Sequence, residues 1–234
     1  MSRCGAVIAA AGRSQRMGAA LDKTVWPLAG RPVIGWVLDA FAAARGIDEI
    51  VVVASPDNLE AVRREIAARP ELPPATACLG GATRAESVAA GVARLSPDVD
   101  LVMIHDAARP LVTPELIENG IAAAERWGAA VAAVPVADTI KQVGPDGEIV
   151  ATLPRDDLRA AQTPQVFRRD WLLSAYADVG DDLSAFTDEA SLLERAGRVV
   201  HVYPGSYENL KLTTPADLAL AEAIVRRRLD EVVR

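Results

Sequence analysis

The chain has 234 residues, of which 50% are hydrophobic, and a formal net charge of −7 at pH 7. The acidic balance argues against non-specific nucleic-acid binding, and no apolar run approaches the roughly 18 residues that span a bilayer. Two cysteines and two histidines form neither a disulfide framework nor a zinc spacing, so we expect one cytoplasmic domain over residues 1–234 with no membrane or nucleic-acid partner.

Short apolar runs alternate with helical patterns over the first 134 residues. The first run meets Gly12-Arg13 too early for a signal peptide, and we interpret it as a strand. Strands are predicted at residues 6–10, 49–54, 75–79, 101–104 and 129–134, with helices starting at Pro32, Ser55-Pro56, Arg84 and Thr113-Pro114. This alternation predicts an α/β fold with a Rossmann-like, mostly parallel sheet and helices on both faces.

The pattern changes after residue 134. Two short strands at residues 138–143 and 148–153 flank the turn sequence Pro145-Asp146-Gly147, which predicts a β-hairpin. We interpret residues 137–160 as an arm that protrudes from the sheet as a subdomain. Helices at residues 169–176 and 187–196, a strand at 199–203 and a helix starting at Thr214-Pro215 complete the chain.

The arm carries more apolar side chains than a two-stranded ribbon tolerates in water, namely Ile140, Val143, Ile149, Val150 and Leu153. The simplest cover is the same arm of a second copy, which predicts a homodimer joined through residues 137–160. The alternative is an arm that folds back on its own sheet.

The loop after the first strand is a candidate phosphate cradle. Gly12 and Ser14 are small enough for backbone N–H groups to approach an anion, and Arg16 and Lys23 add positive charge. Open α/β sheets bind ligands at the carboxyl ends of their strands, where this loop begins. The loop matches neither common glycine-rich phosphate-binding pattern, so an ordinary turn with solvated arginines is the alternative.

Seven short motifs occur in order, and together they resemble the cytidylyltransferase family that acts on 2-C-methyl-D-erythritol 4-phosphate in the non-mevalonate route to isoprenoids. They are A-A-G-x-x-x-R-M at 10–17 with Lys23, G-G at 80–81 with R-A-E-S at 84–87, H-D-A-A-R-P at 105–110, D-T-I-K at 138–141, Q-T-P-Q at 162–165, T-D-E-A-S at 187–191 and N-L-K-L-T at 209–213. The resemblance covers nearly the whole chain and implies a fold of the nucleotide-diphospho-sugar transferase type. Ser14, where the family usually has glycine, and Ala82, where a carboxylate is common, depart from the pattern.

The resemblance also implies an activity, the transfer of CMP from CTP to 2-C-methyl-D-erythritol 4-phosphate with release of pyrophosphate. It implies that Arg16 and Lys23 stabilise the transition state and that Arg155 and Lys211 position the attacking phosphate. Nucleotide contacts are expected from Ala10, Ala11, Gly12, Gly80, Gly81, Arg84, Ser87, Asp106 and Ala107. Acceptor contacts are expected from Asp106, Arg109, Thr139, Arg155, Thr163, Thr187 and Lys211.

Two further expectations concern the cofactor and the second copy. Mg²⁺ is expected to bind mainly through the CTP phosphates, with Asp106 as the candidate protein ligand. Thr139 or Arg155 is expected to complete the substrate pocket of the neighbouring chain in the homodimer. His105 is expected to be a hydrogen-bonded core or turn histidine and not a catalyst.

Two other functions are alternatives. A cytidylyltransferase for ribitol 5-phosphate has the same fold and first loop, and only the acceptor end separates it. A non-catalytic nucleotide-binding module is supported only by Ser14 and Ala82. The joint presence of Arg16, Lys23, Asp106, Arg155 and Lys211 argues against that module.

Overall fold

The computed structural model describes residues 2–12, 23–180 and 186–232. In chain order the strands are β1 (Cys4–Ala10), β2 (Pro27–Leu28), β3 (Arg31–Pro32), β4 (Glu49–Ala54), β5 (Ala75–Leu79), β6 (Leu101–Asp106), β7 (Ala129–Pro135), β8 (Lys141–Val143), β9 (Ile149–Thr152), β10 (Arg159–Arg168) and β11 (His201–Pro204). The helices are α1 (Val33–Ala43), α2 (Leu59–Ala67), α3 (Arg84–Val92), α4 (Pro114–Trp127), α5 (Arg169–Val179), α6 (Glu189–Arg195) and α7 (Pro215–Val232). None of the helices so described is long and apolar enough to cross a membrane.

Seven of the strands form the central sheet, in the order β11-β7-β10-β6-β1-β4-β5. β1 pairs in parallel with both β4 and β6, and its register sets Ala10 beside Ala54 and Ala9 beside Asp106. The carboxyl ends of these three strands therefore lie together at one edge of the sheet. The predicted mostly parallel sheet is confirmed.

One strand of this sheet, β10, was not predicted. It lies antiparallel between β6 and β7, and its register shifts between Ala161 and Gln165. Its middle, Gln162-Thr163-Pro164-Gln165, is polar and contains a proline, a composition that argues against a central strand. All four residues are nevertheless buried. The strand brings polar side chains into the sheet beside the end of β6.

Both faces of the sheet carry a hydrophobic layer, as predicted for strands without polar alternation. Ile8 of β1 packs in one layer with residues of α1 and α4, and the adjacent Val7 packs in the other with residues of α3, α5 and α6. A third cluster joins α7 to Leu28 and Leu111. Helices therefore cover both faces, which confirms that prediction.

The predicted start of the second helix is wrong. Ser55-Pro56 does not open it, because α2 begins at Leu59. The Asn58 side chain accepts from the Ser55 backbone N–H at 2.9 Å and donates to the Ala10 carbonyl at 2.9 Å and to Thr24 Oγ1 at 2.8 Å. The segment is thus a turn that Asn58 fastens to the end of β1.

The predicted hairpin is present, with shorter strands than expected. β8 and β9 pair with each other in a sheet of their own. Val143, Ile149 and Val150 are 58%, 63% and 61% exposed. The described part of the chain therefore leaves these side chains uncovered, which argues against a hairpin folded back on its own sheet. That the hairpin joins two copies stays a prediction.

Candidate functional site

A buried carboxylate marks the edge where β1, β4 and β6 end. Asp106, the last residue of β6, is 7% exposed. Its Oδ1 lies 3.2 Å from Arg84 Nε, and its Oδ2 lies 2.7 Å from Lys211 Nζ. Burial alone would raise the pKa of Asp106, but the charges of Arg84 and Lys211 hold it well below its ordinary value. Asp106 is therefore ionised and aimed between two cations.

Arg84 connects Asp106 to a second buried carboxylate. Its Nη1 donates to both oxygens of Glu189, at 2.9 and 3.2 Å. Burial would lower the pKa of Arg84, but the charges of Glu189 and Asp106 raise it. Arg84 opens α3 and Glu189 opens α6, so this pair ties two helices to the end of β6. We call Glu189, Arg84, Asp106 and Lys211 the charge row.

A tight backbone approach forms the neighbouring part of the site. A Cβ added at Gly80 would lie 2.5 Å from Ser87 Oγ and 2.9 Å from the Ala11 Cβ. Only glycine lets the segment after β5 come this close to both β1 and α3. Thr83 caps α3 in a capping box with Glu86, which fixes where Ser87 lies in the first turns of the helix.

Ser87 is buried, and its hydroxyl donates to the Thr83 carbonyl at 2.8 Å. A hydroxyl has one proton and two lone pairs, so Ser87 Oγ can still accept a hydrogen bond. The Glu86 carboxylate accepts from the backbone N–H groups of Ala82 and Thr83 at 2.7 and 3.2 Å. A carboxylate is thus present beside Ala82 although residue 82 supplies none.

A chain of hydrogen bonds holds the backbone of Asp106 in place. The Asp106 N–H donates to Thr163 Oγ1 at 3.0 Å, and Thr163 Oγ1 lies 3.1 Å from His105 Nδ1. His105 Nε2 lies 3.2 Å from the Arg109 carbonyl, which can only accept, so Nε2 carries the proton and Nδ1 accepts from Thr163. Burial lowers the pKa of His105 to about 4. The prediction of a hydrogen-bonded core histidine is confirmed.

Asn209 is a residue whose role sequence reasoning missed. It is 1% exposed, and its side-chain amide donates to Gln162 Oε1 at 3.2 Å and to the Thr163 carbonyl at 2.8 Å. The backbone carbonyl of Asn209 accepts from Arg109 Nη1 at 2.7 Å. Asn209 therefore joins β10, Arg109 and the segment that carries Lys211. The N-L-K-L-T motif contains this residue, but the burial that gives Asn209 its role is visible only in the structure.

The structure brings together part of the predicted site. Asp106, Arg84, Lys211, Arg109 and Thr163 belong to one connected network. The adjoining strand ends carry Ala10, Ala11, Gly80 and Gly81, and Ser87 of α3 lies against the two glycines. Ala107 follows Asp106 directly and is buried, whereas Gly12 is exposed. Arg16 and Ser14 lie outside the described residues. Lys23 opens a 3-10 turn, Lys23–Val25, and its side chain also lies outside the description.

Three predicted acceptor contacts lie elsewhere in the described chain. Thr139 is exposed in the segment before β8. Arg155 is exposed after β9, where its Nη1 donates to the Ala137 carbonyl at 3.0 Å. Thr187 is exposed just before Asp188, which caps α6. None of the described contacts joins these three side chains to the charge row.

Known proteins are similar to this chain in sequence and in fold. A family model described as 2-C-methyl-D-erythritol 4-phosphate cytidylyltransferase matches residues 4–227. A protein of that name from Pelotomaculum thermopropionicum is 42% identical over 229 residues, which are 97% of this chain and 96% of the relative. The crystal structure of 4-diphosphocytidyl-2C-methyl-D-erythritol synthase from Anaerococcus prevotii superposes with a TM-score of 0.84 at 28% identity, covering 96% of this chain and 99% of that one. The Thermus thermophilus 2-C-methyl-D-erythritol 4-phosphate cytidylyltransferase gives a TM-score of 0.76 at 33% identity, covering 97% and 100%.

Proposed function

Because the chain belongs to the 2-C-methyl-D-erythritol 4-phosphate cytidylyltransferase family, we propose that the charge row and the adjoining strand ends are its active site. The family's reaction transfers CMP from CTP to 2-C-methyl-D-erythritol 4-phosphate in isoprenoid biosynthesis and releases pyrophosphate. The observation that carries the proposal is Asp106, a buried carboxylate with a cation on each oxygen at the ligand-binding edge of an open α/β sheet.

The chemistry needs charge stabilisation more than it needs a base. The attacking oxygen belongs to a phosphate that is already an anion at pH 7, and it must approach the α-phosphorus of a triphosphate. Negative charge grows on the α-phosphate oxygens as the bond to pyrophosphate breaks. Positively charged side chains that hold both reactants in line therefore lower the barrier.

Each cation has a place in this scheme. Lys211 and Arg155 hold the attacking phosphate, while Arg16 and Lys23 stabilise the α-phosphate and the leaving pyrophosphate. The support for Lys211 is its direct ion pair with Asp106, which a phosphate can replace as the partner of its ammonium group. Arg16, Lys23 and Arg155 rest on their motif positions.

The nucleotide side of the site favours cytosine over uracil. Ser87 Oγ donates its proton to the Thr83 carbonyl, and its lone pairs can accept a hydrogen bond from the base. The cytosine 4-amino group is such a donor, whereas uracil presents a carbonyl at that position. Backbone groups of Ala10, Ala11, Gly12, Gly80, Gly81 and Ala107 complete the nucleotide contacts. Asp106 and Arg84 contribute beside them.

The acceptor side places a small polyol phosphate near the charge row. Asp106 and Arg109 contact the polyol and its phosphate together with Lys211, and Thr187 adds a hydroxyl from the segment before α6. The Thr163 hydroxyl already donates its proton to His105. Thr163 Oγ1 can therefore only accept a hydrogen bond from a hydroxyl of the polyol phosphate.

Mg²⁺ is the proposed cofactor, bound chiefly by the nucleotide. No three His, Cys, Asp or Glu side chains in the described ranges lie together as metal ligands. Mg²⁺ commonly binds through one or two carboxylates plus substrate phosphates. Asp106 fits as that one carboxylate once Lys211 turns to a phosphate and frees Oδ2. The ion would neutralise charge on the CTP phosphates.

A homodimer joined through the hairpin completes the proposal. The support is the exposed apolar surface of Val143, Ile149 and Val150, which a second hairpin would cover. Arg155 and Thr139 flank this hairpin, so dimerisation would offer them to the charge row of the neighbouring chain.

We place the enzyme in the cytoplasm. Both cysteines are free thiols, Cys4 buried and Cys78 partly exposed. Unpaired thiols are typical of a reducing compartment.

The acceptor is tested by comparing two polyol phosphates in one assay. Pyrophosphate release from CTP is expected with 2-C-methyl-D-erythritol 4-phosphate. It is expected to fall by about tenfold or more with ribitol 5-phosphate, because the longer, unbranched chain of that acceptor would shift its hydroxyls relative to Asp106 and Arg109 while Lys211 holds its phosphate. The same enzyme preparation without acceptor is the blank. Turnover confined to ribitol 5-phosphate would overturn the proposed acceptor.

A further inference from the structure

Glu189 is a buried carboxylate to which the proposed mechanism gives no substrate contact. Its side chain is 2% exposed, and both of its oxygens accept from Arg84 Nη1. Burial raises the pKa of Glu189, and the nearby Arg84 charge opposes that rise. A carboxylate in this position is costly unless its partner stays in place. Its effect on the site must therefore pass through Arg84.

Arg84 is held at two points by two different nitrogens. Nε lies 3.2 Å from Asp106 Oδ1, and Nη1 lies 2.9 Å from the nearer oxygen of Glu189. A planar guanidinium anchored at both places cannot rotate freely about its own bonds. The Arg84 side chain is still 30% exposed, and these contacts leave Nη2, with two N–H groups, outside them.

We propose that Glu189 is a positioning residue that fixes the Arg84 guanidinium, and through it the Asp106 carboxylate, for the bound nucleotide. This inference rests on the proposed function, since it assumes that the charge row is the active site. Glu189 lets Arg84 share its charge between two carboxylates. Asp106 thereby keeps one oxygen for Arg84 and presents the other to Lys211.

Loss of the Glu189 charge changes how the Arg84 guanidinium is shared between Glu189 and Asp106. With glutamine at position 189, Asp106 is the one anionic partner that the described residues still give Arg84, and Arg84 gains freedom to turn. The guanidinium then leaves the orientation in which Nη2 would face the bound nucleotide. The fold retains a side chain of the same size at position 189, so the change in the site exceeds the change in packing.

The first variant to measure is Glu189→Gln. We expect kcat/KM for CTP to fall by about ten- to a hundredfold, because a misplaced charged donor weakens transition-state contacts. The matched control is Glu194→Gln, an exposed residue on the same helix, which should stay at the wild-type value. A Glu189→Gln value equal to that of the control would overturn the inference.

A double variant separates positioning from simple stabilisation. Arg84→Met leaves the Glu189 carboxylate buried without its partner, so both Tm and kcat/KM should fall. Adding Glu189→Gln removes the stranded charge, and Tm should recover. We expect kcat/KM to stay at the Arg84→Met value, because Glu189 acts only through Arg84.

The remaining outcomes each contradict the inference. If kcat/KM recovers along with Tm in the double variant, Glu189 serves the fold alone. If the two losses in kcat/KM multiply, Glu189 acts on substrate independently of Arg84. Wild-type protein in the same assay keeps the proposed function separate, since an inactive wild type would overturn that function and an active one leaves only the positioning role in question.

Discussion

A Lys211→Met variant is expected to lose about a hundredfold or more in kcat/KM, because one charge-assisted contact made in the transition state is worth about 10²–10³ in rate. The Lys211 side chain is 42% exposed and its partner Asp106 keeps Arg84. Removing the ammonium should therefore change the free energy of unfolding by less than about 1 kcal/mol. Steady-state pyrophosphate release and thermal unfolding measure the two quantities.

The control for this variant is Arg63→Met. Arg63 is 55% exposed on α2 and pairs with Glu60 one turn away, so its loss removes a surface charge without touching the charge row. That variant should match the wild type. A Lys211→Met enzyme within about threefold of the wild type, at unchanged Tm, would remove Lys211 from the mechanism.

Two inactive variants are expected to restore activity when they share a dimer. Arg155→Ala should be impaired because the neighbouring chain would lose the phosphate contact proposed for Arg155, and Lys211→Met should be impaired in its own site. A heterodimer of the two has one site with both residues and one with neither. With equal amounts and free exchange, half of the dimers are mixed, so about a quarter of the wild-type sites return.

The mixing experiment needs the association state of each variant. Sedimentation at micromolar concentration should show each of the two variants and their mixture as dimers. No regain of activity among dimeric variants would mean that one chain supplies both residues to its own site. A monomeric wild-type protein would contradict the shared site altogether.

The strands that sequence reasoning placed best are short apolar runs bounded by turn residues. Residues 49–54 and 75–79 match β4 and β5 at both ends, because short apolar runs bounded by turn residues have few other places in an α/β fold. The same reasoning did not predict β10. Its polar centre is buried by partners distant in sequence, Asp188 for Gln165 and Asn209 for Gln162, and no local pattern reveals such pairing.

The site residues, like the strands, were predicted only in part. Asp106, Arg84 and Lys211 were identified from their motifs, and the structure brings them together although Asp106 and Lys211 are 105 positions apart in the sequence. Glu189 and Asn58 were not identified. Each is a polar side chain whose importance depends on burial, Glu189 beneath Arg84 and Asn58 against the end of β1. Sequence alone does not tell such a residue from a solvated one.

We propose that this edge of the sheet binds a cytidine nucleotide and transfers CMP from it. The most direct measurement is pyrophosphate release by the wild-type enzyme with CTP, UTP, ATP or GTP, each with 2-C-methyl-D-erythritol 4-phosphate and Mg²⁺. CTP is expected to exceed UTP in kcat/KM by well over about tenfold, because uracil brings no donor to the lone pairs of Ser87 and leaves buried acceptors unpaired. Equal turnover of CTP and UTP would contradict the proposed cytosine contact at Ser87, and no pyrophosphate release with CTP would contradict the proposed reaction.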